Sequence, residues 1–306
     1  MPRTMKIKDI LGGGGVSVSL EIFPPKREEN LDRTREVVER LCLRKPSFVS
    51  VTCGAASTRD AHTADVAAFV AARGVTALAH MTCVGAPVRD VRGQLSRLRS
   101  LGVENVLALR GDLPPGAAAP GEGRFAHAED LVREIRAAGD FCVGAACYPE
   151  KHPESADSVE DMRMLKRKVD AGADFLTTQM FFDNSLFYRF LWKAREAGIR
   201  VPVVAGIMPI TSGRQVERAR LLSGSTMPPR FLSIVDKWGA NPAAMEQAGV
   251  AYATGQIVDL LANGVRAIHV YTMNKPSVAE SILDNLSELL GPSRPAAGAA
   301  ETPAAP

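Results

Sequence analysis

A single-domain (β/α)₈ barrel of the TIM class is the fold this sequence predicts, on three observations. Short apolar or β-branched runs alternate with amphipathic segments along nearly the whole chain. There are about eight such runs, the number a closed α/β barrel requires. Runs such as VLAL (106–109) and VPVVAGI (201–207) are apolar at consecutive positions, as in a parallel sheet covered on both faces. A doubly wound open sheet has the same rhythm, so closure is inferred from the strand count alone.

In chain order the strands are expected at Ser17–Phe23, Phe48–Cys53, Thr76–Thr82, Asn105–Arg110, Phe141–Ala146, Phe175–Gln179, Val201–Ile207 and Ala267–Tyr271. Amphipathic helices are expected at Leu31–Leu43, Thr63–Ala72, Val88–Leu101, Ala128–Ala138, Ser158–Ala171, Ser185–Ala197 and Ser277–Leu290, each following a strand. Two segments break the rhythm. Leu113–Arg124 is a Pro, Gly and Ala loop, and Ser223–Pro242 carries extra turn and helix signals before a long helix around Met245–Leu261. The barrel is assigned to 17–291, preceded by a lead-in over 1–16 with a flexible Gly12–Gly15 and followed by a flexible Pro/Ala-rich tail over 292–306.

Composition narrows the function classes. With 37 Lys and Arg against 34 Asp and Glu in 306 residues, the net charge of +3 argues against a nucleic-acid partner. At 46% hydrophobic residues the chain is an ordinary globular protein. No apolar run of membrane-spanning length and no signal-type core occurs, so no membrane is expected and the cytoplasm is the expected location. Cysteines 42, 53, 83, 142 and 147 form no CxxC and are read as reduced thiols. No metal is expected, because HxH and HExxH spacings are missing. The G-x-S-x-G elbow and the GxGxxG fingerprint are missing too.

In such barrels chemistry sits at the carboxyl ends of the strands, where loops converge polar groups over a packed core. Those ends carry Glu21, Thr52, His80, Thr82, Arg110, Gly111, Asp112, Tyr148, Gln179, the turn at 206–211 and the stretch Tyr271–Lys275. Glu21 is a carboxylate inside the apolar strand SVSLEIF, where desolvation favours a general acid; a structural bridge to Arg or Lys is the competing reading. Asp112 is read either as functional or as a turn cap in a Gly/Pro loop. His80 is either a satisfied core histidine or a site residue. Asp161, Met164 and Lys168 share one helix face, with Arg167 beside it; that ridge either holds ribose and diphosphate or is a solvated basic face.

The motifs LEIFPPK, KPSFVSVTCGA, AHMTC, LALRGDLPPG, YPEKHPE, LKRKVDAGADFLTTQMFFD, GIMPI and HVYTMN occur in this order over about residues 17–290. Together they closely resemble the methylenetetrahydrofolate reductases of the short bacterial type, whose catalytic portion matches this chain in length. The resemblance implies reduction of 5,10-methylenetetrahydrofolate to 5-methyltetrahydrofolate with NADH or NADPH, through noncovalently bound FAD. It implies that Glu21 protonates N10 of the folate, that Asp112 stabilises the cationic intermediate beside the flavin, and that Gln179 and Lys275 bind substrate. Thr52, Ala55, His80, Arg110, Gly111, Asp112, Ala128, Tyr148, His152, Asp161, Arg167 and Lys168 fall on the family's flavin-contact positions. Three positions depart from the family pattern: Cys53 replaces an aromatic, Met164 a polar flavin contact, and Gly213 a ring that packs on substrate. Two alternatives stay open, a flavin-independent hydride transfer and a barrel subunit fed electrons by a partner protein. NADH is not separable from NADPH, and homo-oligomerisation is left open.

Overall fold

In a computed structural model of the chain, residues 5–25, 27–53, 61–112 and 125–291 are described. Ala55, the loop Leu113–Arg124 and the tail from 292 lie outside them. Eight parallel strands close into a barrel in sequence order. They are β1 (Ser17–Ile22), β2 (Phe48–Val51), β3 (Ala77–Thr82), β4 (Asn105–Leu109), β5 (Cys142–Cys147), β6 (Phe175–Thr178), β7 (Val203–Ile207) and β8 (Ala267–Tyr271). Closure is made where β8 returns to β1, with Ser19 opposite His269 and Glu21 opposite Tyr271. That pairing excludes the open sheet.

The consecutive apolar runs divide between two cores. All six residues of β1 are buried, yet Val18, Leu20 and Ile22 belong to the layer between barrel and helices, while Ser19 and Glu21 alternate to the barrel interior. The VLAL run splits likewise: Val106 and Ala108 pack outward and Leu107 inward. Burial on both faces is why alternation was invisible in the sequence.

Helices α1 (Ile7–Gly12), α2 (Leu31–Leu43), α3 (Ala61–Ala72), α4 (Val88–Ser100), α5 (Ala128–Ala138), α6 (Ser158–Asp170) and α7 (Asn184–Glu196) are followed by α8 (Gly213–Ser223), α9 (Pro229–Trp238) and α10 (Pro242–Ala262). The final helical stretch is divided at buried Leu286 into α11 (Pro276–Asn285) and α12 (Ser287–Leu290). Among the described residues no helix is long and apolar enough to cross a membrane.

Two helices were not expected. α8 has Ser212 as N-cap, in a reciprocal capping box with Gln215, and left-handed Gly224 as its end. Among its described side chains Val216, Ala219 and Ser223 are buried, a stripe of mostly small residues too weakly apolar to stand out in the sequence. α1 lies within the lead-in and closes the amino-terminal end of the barrel. Its Ile7, 0% exposed, packs with Phe48, Leu78, Leu107, Phe175 and Val204 from five strands. The Ile7 N–H donates to Asn105 Oδ1 at 2.9 Å, and Asn105 Nδ2 donates to Met5 and Ala77 carbonyls. With that end plugged and packed, the carboxyl ends of the strands are left to form the mouth.

Candidate active site

Glu21 ends the inward face of β1 and is 7% exposed. Its register neighbours are Ser50 on β2 and Tyr271 on β8. Among the described residues it has no Arg or Lys within ion-pair distance. Two imidazoles face it instead: Glu21 Oε2 lies 3.5 Å from His269 Nε2 and 3.7 Å from His80 Nε2. The structural-bridge reading therefore loses its partner, and a carboxyl group between two buried rings remains.

Burial pushes His80 down to about 4, partly opposed by the charge of Glu21, so the ring is neutral at pH 7. Its Nε2 lies 2.6 Å from Ser50 Oγ. Tyr271, pushed well above its ordinary value by burial and then by Glu21, donates its hydroxyl to the Thr178 carbonyl at 2.6 Å. Room for that phenol comes from Gly206, where a Cβ would stand 2.6 Å from the Tyr271 oxygen and 2.5 Å from the Thr178 carbonyl.

The turn after β8 holds Glu21 from behind. Thr272 Oγ1 donates to the Glu21 carbonyl at 2.6 Å. Asn274 spans Phe23, accepting from its N–H at 2.8 Å and donating to its carbonyl at 3.0 Å. Met273 and Asn274 both have φ of 54°, a left-handed pair that costs energy in non-glycine residues. These hydrogen bonds offset that cost and tie the last strand to the first. Beyond the turn, Lys275 donates to Thr211 Oγ1 at 2.9 Å and is exposed at the start of α11.

A second cluster occupies the ends of β4 to β6. Arg110 forks onto Glu154, with Nη2 to Oε1 at 2.6 Å, and this pairing holds Glu154 below the usual carboxylate range. Arg167 of α6 pairs with buried Glu129 of α5, and its Nη1 also reaches Met164 Sδ at 3.6 Å. Lys168 donates to the Ala146 carbonyl at 2.6 Å, and burial lowers its pKa. Asp161 accepts from Ser155 Oγ at 3.0 Å. Tyr148 meets His152 edge-on, centroids 4.6 Å apart, and hydrogen-bonds Gln179; burial and then the charge of Asp112 raise it. Burial lowers His152.

Asp112 itself is exposed, and Thr52, Cys53 and Ala128 are half-buried. Gly111 has φ of 82°, and a Cβ there would stand 3.0 Å from Thr82 Cβ, so only glycine keeps this backbone flush with the wall.

The structure thus gathers Arg110, Gly111, Asp112, Tyr148, His152 and Gln179 on one side of the barrel mouth and Glu21 with His80 on the other. Arg167, Lys168 and Asp161 stand on α6 beside the first set. Two guanidinium groups and an ammonium, satisfied here by carboxylates and a carbonyl, suit a polyanion such as a diphosphate. The aromatic pair and bare Gly111 backbone suit a planar ring. The donor set therefore fits a flavin dinucleotide. Sequence reasoning missed Ser19, Ser50 and His269, because a strand serine carries no signal until its cross-strand partner is known.

The departures also have physical settings. A Cβ on Gly213 would press to 3.3 Å from the Gly239 carbonyl oxygen, so close approach of α8 to the end of α9 disfavours any larger residue there. Nothing described at Cys53 explains the loss of an aromatic.

Comparison with known proteins adds an independent line. A family model described as methylenetetrahydrofolate reductase matches residues 6–287. A methylenetetrahydrofolate reductase (NADH) from Zea mays is 37% identical over 299 residues, covering 92% of this chain and 50% of that protein. The 5,10-methylenetetrahydrofolate reductase of Escherichia coli is 33% identical over 274 residues, covering 89% of this chain and 91% of that protein. The chain spans about half the length of the plant relatives it matches. A Clostridium thermocellum protein described as binding two copies of 5-methyl-5,6,7,8-tetrahydrofolic acid superposes with a TM-score of 0.65 at 15% identity, covering 93% of this chain and 98% of that one. At that identity the likeness speaks for the fold.

Proposed function

This chain belongs to the methylenetetrahydrofolate reductase family, and from that premise we propose that it reduces 5,10-methylenetetrahydrofolate to 5-methyltetrahydrofolate with electrons from NADH or NADPH. The observation that carries the proposal is a carboxyl group, Glu21, buried at the barrel mouth without a cationic Arg or Lys partner among the described residues. A carboxyl in that setting is placed to act as proton donor to a substrate seated in the mouth.

Substrate reduction begins with proton transfer from Glu21 to N10 of the folate. The C–N10 bond then breaks, its electron pair stays on N10, and an iminium forms between the one-carbon unit and N5. Asp112, exposed at the end of β4, supplies negative charge opposite that cation. Gln179 offers an amide to the pterin edge, and Lys275 an ammonium to the acidic tail. Arg110, Arg167 and Lys168 would hold the diphosphate of FAD, with Tyr148, His152, Gly111, Thr52 and Ala128 around the rest of the molecule. When bound, the flavin supplies hydride relay between nicotinamide and the folate carbon.

The test is spectroscopic and kinetic. Purified protein should be yellow, bleach anaerobically with NADH or NADPH, and recolour when methylenetetrahydrofolate is added. Glu21→Gln should reduce folate turnover by about 10²-fold or more while bleaching by nicotinamide persists, because only the folate half needs the acid. No folate-dependent oxidation with either reductant would overturn the proposal. A colourless protein with full turnover would replace the flavin relay by direct hydride transfer.

A further inference from the structure

Arg110 and Arg167, the two guanidinium groups beside the Tyr148–His152 pair, each carry a carboxylate, but the two carboxylates are held very differently. Arg167 meets Glu129, whose side chain is 4% exposed and which also takes Arg133. Displacing Glu129 would strand a buried charge, a heavily destabilising change. It is a fixed partner.

Glu154 is the opposite case. Its side chain is 61% exposed against 24% for Arg110, so water solvates the carboxylate as soon as it turns away. The backbone around it is fixed by bonds that do not use that carboxylate. The Glu154 N–H donates to His152 Nδ1 at 3.1 Å, the Ser155 N–H to the His152 carbonyl at 3.0 Å, and Ser155 Oγ to Asp161 at 3.0 Å. Glu150 anchors the same loop to Thr226, accepting from its N–H at 2.9 Å. On the other side of the pair, Arg110 Nε donates to the Gly111 carbonyl at 3.1 Å, which keeps the guanidinium in place when Nη1 and Nη2 lose Glu154. One side chain is thus free to leave between two fixed supports.

Carboxylate and phosphate present the same pair of acceptor oxygens to a guanidinium fork. A phosphate brought to Arg110 finds both terminal nitrogens engaged. We propose that Glu154 is an exchangeable placeholder, the carboxylate that saturates Arg110 in the absence of nucleotide and yields it to the diphosphate of an entering one, so that this side chain sets the affinity of the nucleotide site. This exchange rests on the flavin reading above, to which it adds the group that the cofactor must displace.

The experiment measures binding, not turnover. Full-length protein freed of flavin is titrated calorimetrically with FAD, ADP and riboflavin. Glu154→Gln keeps the size of the side chain and removes its charge, and should tighten FAD and ADP about fivefold, the scale of a partly exposed ion pair. Riboflavin, which has no phosphate, should bind the two proteins equally. In an Arg110→Met background the Glu154 change should have no effect, because the group competed for is gone. Glu150→Gln loosens the other end of the loop and frees no cation, so it should not tighten FAD. Urea midpoints show that each variant is folded, and Glu154→Ala should repeat the gain. Unchanged or weaker FAD and ADP binding in Glu154→Gln overturns the proposal, as does failure of wild type and variant alike to bind either one. Equal tightening of riboflavin, or by Glu150→Gln, also overturns it and traces the gain to the loop. Absence of folate reduction would instead remove the function proposed above, with the exchange still decided by the binding ratios.

Discussion

His80 shows how a single side chain's surroundings become a property of the molecule. Burial lowers its pKa from 6.5 to about 4, while the unfolded chain keeps the ordinary value. Between those two values the unfolded state binds more protons, so the contribution of this neutral ring is complete above pH 6.5 and is lost as the pH falls towards 4. At 1.36 kcal/mol per unit the loss is about 3 kcal/mol. Urea unfolding between pH 7 and 4 should show that slope beyond the one retained in His80→Gln, and equal slopes in the two proteins would refute it. Glu154, held low by Arg110, loses stability in the same direction and is present in both proteins, so it cancels in the comparison. At this scale legibility follows contrast. Glu21 stood out because its strand is otherwise apolar. His269 did not, because the serine that gives it meaning is 250 residues away in the chain.

Among the elements, those with a long buried stripe were readable. α2, α5 and α6 lie where their periods put them, and every strand falls within a few residues of its expected place. The misses were short or interrupted: six-residue α1, narrow α8, and the stretch divided at Leu286. α1 has too few residues for a period, and a helix that short is not stable by itself. Its order comes from docking through Ile7 into the barrel floor and through the Asn105 hydrogen bonds. Ile7→Ala should therefore cost about 2–5 kcal/mol, up to the free energy of undocking the helix. If Ile7 is the anchor, deleting residues 1–12 should cost little more than the point change. Urea midpoints measure both, and an Ile7→Ala protein as stable as the wild type would show that α1 does not hold the floor.

Across the whole molecule the barrel separates its labours by end, and two glycines offer a matched test of that separation. Gly144, opposite Phe175 in the β5–β6 register, leaves space in the floor: a Cβ there would stand 2.5 Å from Phe175 and 2.9 Å from Leu107. Gly206, opposite His269 in the β7–β8 register, leaves space at the mouth for the Tyr271 hydroxyl. One added methyl overpacks either site and should cost about 1–3 kcal/mol. The neighbours that must yield differ, however. In Gly144→Ala they are Phe175 and Leu107, in the layer that also holds Ile7. In Gly206→Ala the Tyr271 phenol must leave the Thr178 carbonyl, and it packs against the ring of His269 beside Glu21. Both variants should lower the urea midpoint by similar amounts. Assayed well below their unfolding temperatures, Gly144→Ala should keep its kcat and KM for folate, and Gly206→Ala should lose kcat about tenfold or more. Equal kinetic losses would mean that strain in the floor reaches the mouth and that the two ends are mechanically one.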